Sequence, residues 1–160
     1  MTEIKPRPRK FRAEKREKPE FDQRLLDVAR VVRVVAGGRR FSFRATVAIG
    51  DRRGRVGVGT AKGQDVSQAV DKAVNRAKKS MLQIKMAGNT IPFEITAKYG
   101  AAKVFLKPAA PGRGVVAGSV VRIICELVGL QDITGKILGR TTNKINNAKA
   151  TLEALREFSV

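Results

Sequence analysis

Seven cationic side chains crowd one stretch of this chain: Arg39, Arg40, Arg44, Arg52, Arg53, Arg55 and Lys62. One acid, Asp51, stands among them. Guanidinium groups grip phosphate oxygens through forked hydrogen bonds and keep their charge at any physiological pH. Ordinary solvated surfaces interleave both signs, and this stretch does not. Its chemistry is that of a phosphate-tracking face. Arg33, Arg113, Arg140 and Lys144 are further candidates for the same work.

Other chemistries find little support. His is absent, which removes the commonest general base and zinc ligand. Asp65, Asp71, Glu94, Glu126 and Asp132 are scattered, and no spacing fixes two carboxylates together. No catalytic residue, metal site or cofactor is expected. The single cysteine, Cys125, lies beside the apolar stripe of a helix and reads as a buried, inert thiol. Gly57 to Gly63 is glycine-rich and precedes a helix, but its spacing fits neither the phosphate loop nor the dinucleotide fingerprint. Close backbone packing or RNA approach suits those glycines better. Pro111-Gly112-Arg113-Gly114 reads equally as a hinge or as an anion site at a helix N-terminus. Phe41 and Phe43 recur at a period of two with Ala45, Val47 and Ile49, so both are expected to pack inward. Recognition by backbone and shape follows, rather than by base stacking.

The elements that position these residues follow from the patterning. Leu25 to Val35 and Phe41 to Ile49 read as strands joined by a turn at Gly37-Gly38. Gly50 to Gly54 is a hairpin turn, and Arg55 to Thr60 returns from it. Asp65, with Gln68 three residues on, predicts a capped helix running to about Met86 and stopping at Gly88. Three antiparallel strands and one helix result. The second half begins with strands over Ile91 to Tyr99 and Lys103 to Lys107. A helix over Val116 to Val128, a short strand over Ile133 to Leu138 and a last helix capped by Asn143 complete it. The fold class is α+β, with residues 1–20 a basic flexible tail and domains at 21–88 and 89–160.

Composition sets the class of partner. The 160 residues carry 33 Lys and Arg against 14 Asp and Glu, a formal charge of +19. Residues 1–20 hold eight basic groups and four acids, so most of the excess belongs to the remainder. Self-repulsion of that size opposes compaction, and a polyanion relieves it. No apolar run reaches membrane-spanning length and no secretory signal opens the chain. A cytoplasmic nucleic-acid binder is expected, with no membrane partner and no small-molecule substrate.

Longer stretches carry a resemblance. Ala36 to Phe43 resembles the "KGGRxFSF" signature of the bacterial small-subunit ribosomal protein five family. Gly50 to Gly59 resembles its "GDGxGRVGxG" hairpin, and Lys107 to Gly118 its "PAxxGTGVIAGG" segment. Thr142-Asn143 and Asn146 are similar to its late "STNPxN" element, with Lys144 where that family usually has Pro. Ala36 stands where it usually has Lys.

The resemblance implies an N-terminal module like a double-stranded-RNA-binding domain and a C-terminal α/β, sandwich-like domain. It implies a structural role in the small ribosomal subunit, without enzymatic activity. The partners would be 16S ribosomal RNA, ribosomal proteins four and eight, and messenger RNA near its entry path. Support of translational accuracy goes with the contact to protein four. Gly112, Gly114, Gly118 and Arg122 would lie near that contact, and the loop from Arg33 to Arg40 would reach RNA of the subunit head. The alternatives are a free-standing RNA chaperone or double-stranded-RNA binder, and, more distantly, a small phosphotransferase.

Overall fold

In the computed structural model, residues 20–159 are described. The basic tail expected over residues 1–20 lies outside them, apart from Glu20.

The first sheet comprises β1 (Asp22–Val35), β2 (Gly38–Gly50), β3 (Arg55–Gly63) and, after helix α1 (Val66–Lys79), β4 (Leu82–Gln83). They lie in the order β1-β2-β3-β4, each antiparallel to its neighbour. The register sets Val47 opposite Gly59 and Ile49 opposite Gly57. Directly opposed residues share a face, so these glycines look at α1 beside the two apolar side chains. The helix answers with Ala69, Ala73 and Ala77, its buried residues. A Cβ on Gly57 would lie 2.5 Å from the Ala77 carbonyl oxygen, and one on Gly63 2.7 Å from the Ala69 nitrogen. Small residues on both sides let the helix sit directly on the strand. Of the two uses open to the glycine-rich stretch, close packing is the one seen here.

Three expectations change in this half. The helix ends at Lys79, not near Met86. Ser80 caps it, and Leu82 and Gln83 pair with Val56 and Arg55 instead. Ile84 donates its N–H to the Gly54 carbonyl at 2.9 Å and is buried. Strand addition satisfies this backbone and buries Ile84 at the same time. At the other end, Asp65 accepts from the Val66 N–H and the Ser67 hydroxyl, so Gln68 plays no part in the cap.

The third change concerns Phe41. It is 48% exposed, and Phe43 is half-buried. Both faces of β2 are covered from Ala45 to Gly50, whereas the distal β1–β2 ribbon runs out past α1. Period two gave the right face for Phe41, but no layer covers that face so far out.

The second sheet comprises β5 (Ile95–Tyr99), β6 (Ala102–Pro108), β7 (Val115–Val116) and β8 (Ile133–Ile137), in the order β5-β6-β8-β7. Only β7 and β8 run parallel. Along β6, Ala102, Val104 and Leu106 are buried while Lys103 and Lys107 are exposed, so helices cover one face only. Those helices are α2 (Ser119–Val128) and α3 (Lys144–Arg156). The strand expected from Ile91 begins at Ile95, because Ile91 is buried in the core and Pro92 has no N–H to pair. The helix expected from Val116 begins at Ser119, because Val115 and Val116 pair with Ile133 and Thr134. Asn143 caps α3 as its type suggested, accepting from the Ile145 N–H at 3.0 Å.

A single cluster joins the halves. It unites Leu26, Ala48 and Val56 of the first sheet with Val121, Ile124 and Val128 of α2, Leu106 and Ile133 of the second sheet, and Leu155 of α3. Val47, Ile49 and Ala61 form a separate cluster with Ala73 and Ala77. The first sheet is thus packed on both faces. Backbone bonds from Arg52 N–H to the Leu127 carbonyl (3.0 Å) and from Gly54 N–H to that of Val128 (2.9 Å) tie the hairpin turn to the end of α2.

Candidate nucleic-acid interface

The seven clustered cations do not form one patch. Arg39 and Arg40 sit at one end of β2, and Arg52, Arg53 and Arg55 lie beyond its other end. At about 3.3 Å per residue, thirteen residues of strand separate them by roughly 40 Å.

At the ribbon tip the register places Arg33 opposite Arg40 and Val34 opposite Arg39. Gly38 closes the turn with φ +138°. All three arginines are exposed, and none reaches a carboxylate among the described residues. Like charges directly opposed on a ladder repel. The tip holds that repulsion in the absence of an anion.

The Asp51 turn is different. Its carboxylate accepts from the Arg53 N–H (2.8 Å), the Arg55 N–H (3.0 Å) and the Arg55 Nε (2.6 Å). Burial works against ionisation here, but the Arg55 side chain and the two amides outweigh it and hold the Asp51 carboxyl below the usual aspartate range. Arg55 also lies 3.7 Å from Glu20, and its guanidinium stands over the Phe21 ring at 5.1 Å. Arg52 pairs with Asp22 at 2.8 Å. In this turn Arg53 alone is exposed without a carboxylate partner among the described residues.

Midway along the ribbon, Arg44 lies opposite Lys62 and 3.8 Å from Asp27. Asp27 also meets Lys144, the first residue of α3, at 3.5 Å. Here a groove of about 490 Å³ opens between the halves, lined by Arg44, Thr60, Arg76, Ser80, Ile145 and Lys149. Arg76 donates to the Thr60 carbonyl at 2.8 Å, and the Arg44 Nε is buried without a partner. Arg76 lies with Lys72 and Lys79 among the exposed residues of α1, away from the buried Ala69, Ala73 and Ala77. Lys149 is a residue that sequence reasoning missed, since only the packing of the halves brings it here.

Arg113 stands exposed in the loop before β7. Gly112 and Gly114 flank it with φ of +84° and +77°, and Gly114 N–H donates to Asp132 at 3.0 Å. Because β7 intervenes before α2, Arg113 is not at a helix N-terminus, and the anion-site reading of that loop is withdrawn. Gly118 is the N-cap of α2, and Arg122 donates its backbone N–H to the Gly118 carbonyl at 2.8 Å. Arg140 is exposed in the loop before α3. Cys125 is fully buried in α2, and burial pushes its thiol up to about 12. No described helix is long and apolar enough to cross a membrane.

Among the described residues, two sheets, three helices and a strongly cationic ribbon define an α+β protein. Residues 21–85 match the family model described as "Ribosomal protein S5, N-terminal domain", and residues 97–159 that described as "Ribosomal protein S5, C-terminal domain". The chain belongs to the ribosomal protein S5 family, whose members are structural, non-enzymatic components of the small ribosomal subunit and serve translation.

Proposed function

We propose that this protein binds 16S ribosomal RNA and holds RNA segments together by neutralising their charge. The observation that carries this reading is the ribbon tip, where Arg33 and Arg40 face each other across the ladder with no carboxylate partner among the described residues. Residues 21–88, with a helix on an antiparallel sheet, serve as a module akin to a double-stranded-RNA-binding domain. Residues 89–160 meet neighbouring proteins, with Gly112, Gly114, Gly118 and Arg122 turned to ribosomal protein four and other surfaces to protein eight. A position by the messenger entry path and support of decoding accuracy follow from those contacts.

Seven of the eleven candidate cations (Arg33, Arg39, Arg40, Arg53, Lys62, Arg113 and Arg140) have no carboxylate partner among the described residues. Log affinity for ribosomal RNA should therefore fall against log salt with a slope of about −6. A slope near −2 would overturn the reading. In sedimented lysate the protein should stay with the small subunit through a high-salt wash, at one copy per particle. Washing to the top would favour a free-standing RNA binder.

A further inference from the structure

Phe41, 48% exposed, lies on the outer part of the ribbon, with no layer over its face. Its cross-strand partner Val32 is also 48% exposed, and Val34, next along the same face, is 79% exposed. Arg30 holds its guanidinium 4.7 Å from the Phe41 ring centroid. Arg39, opposite Val34, shares that face. Neither Arg30 nor Arg39 meets a carboxylate among the described residues.

A two-stranded ribbon cannot bury such a surface by itself, and contiguous exposed apolar residues mark a site of interaction. The occupant must be anionic at its edges and flat and apolar at its centre. A nucleobase between its two phosphates has that form, and every base offers a π-face. Bases within a duplex are already stacked on one another, so the occupant is an unpaired base. An acidic peptide would satisfy the arginines but would offer the ring no flat partner.

We infer that Phe41, with Arg30 on its ring and Arg39 beside it, is a stacking platform for an unpaired RNA base. The inference rests on the RNA-binding reading above and adds what that reading lacks, a preference for irregular over fully paired RNA.

The test uses the full chain and two RNA hairpins of equal length, one fully paired and one with a bulged 2-aminopurine. The wild type should bind the bulged hairpin about tenfold more tightly, with a change in 2-aminopurine emission. Phe41→Leu keeps the apolar area and removes the π-face. It should lose both the preference and the emission change, while its affinity for the paired hairpin and its circular dichroism stay as in the wild type. Phe41→Trp should retain both signals. If Phe41→Leu keeps the preference, or the wild type shows none, the platform is refuted while RNA binding stands. If neither hairpin is bound with a steep salt dependence, the RNA-binding reading itself fails. Binding to vesicles rich in phosphatidylserine that Phe41→Leu abolishes, without any preference among RNAs, would assign the face to lipid and overturn the inference.

Discussion

Gly59 of β3 lies directly beneath Ala73 of α1, with no room for a methyl group between them. A Cβ on Gly59 would run into the Ala73 carbonyl oxygen and lie 2.6 Å from the Ala77 nitrogen. Both obstacles are helix backbone, which cannot swing aside as a flexible side chain does. Gly59→Ala should therefore lift α1 from the sheet and destabilise the protein by about 2–3 kcal/mol, as overpacking of a tight core does. Gly37→Ala, with nothing within 4 Å of its Cβ, should change stability by less than about 0.5 kcal/mol. Urea unfolding of the two variants beside the wild type checks the contrast.

Arginines that look alike in the sequence should behave differently. Replacing Arg39 and Arg40 together by Ala removes two cations without carboxylate partners, and should flatten the slope of log RNA affinity against log salt by about 2. Arg55→Ala removes a cation already held by Asp51 and Glu20. It should leave that slope nearly unchanged and lower the midpoint of thermal unfolding. Binding titrations across a salt series, paired with melting curves, separate the two effects.

Asp51 links stability to pH. Its carboxyl sits below the usual range in the folded state, so it stabilises the fold above the ordinary aspartate value and loses that contribution as pH falls through its lowered one. Asp51→Asn should therefore be less stable than the wild type at pH 7. The gap should be full above about pH 5 and narrow as pH falls past about 4. Denaturant midpoints of both proteins measured from pH 7 to 3 give the curve.

Cys125 offers a probe of unfolding. With its thiol buried and pushed up to about 12, almost no thiolate exists at pH 8. A thiol-specific dye should leave the folded protein unlabelled and react within minutes in denaturing urea. Rapid labelling of the folded protein would show that α2 opens locally.

Elements whose pattern carried their own stop signals were legible in the sequence. Asn143 capped α3, Gly129 ended α2 in a left-handed cap, and Gly57 and Gly59 admitted close packing as one of two uses. The sequence misled where tertiary pairing competed with local periodicity. Met81 and Ile84 continued the helical spacing of α1, yet Leu82 and Gln83 found strand partners. Val116 reads as the start of a helix, yet with Val115 it pairs in parallel with β8. For the site, residue types were legible but their partners were not. Nothing within residues 39–62 shows that Asp22 and Asp27 hold Arg52 and Arg44, or that Lys149 lines the same groove as Arg76. Nor does alternation along β2 reveal how far α1 reaches, so Phe41 reads as a core residue although it lies half outside.

The backbone bonds from Arg52 and Gly54 to Leu127 and Val128 bear on how the molecule is made. A ribosome synthesising this chain delivers β3 long before α2. At roughly 5–20 residues per second, the interval is on the order of several seconds. Through that time the sheet carries α1 on one face while Ala48 and Val56 wait bare on the other. A newborn copy is thus a sticky half-molecule with a cationic β1–β2 ribbon.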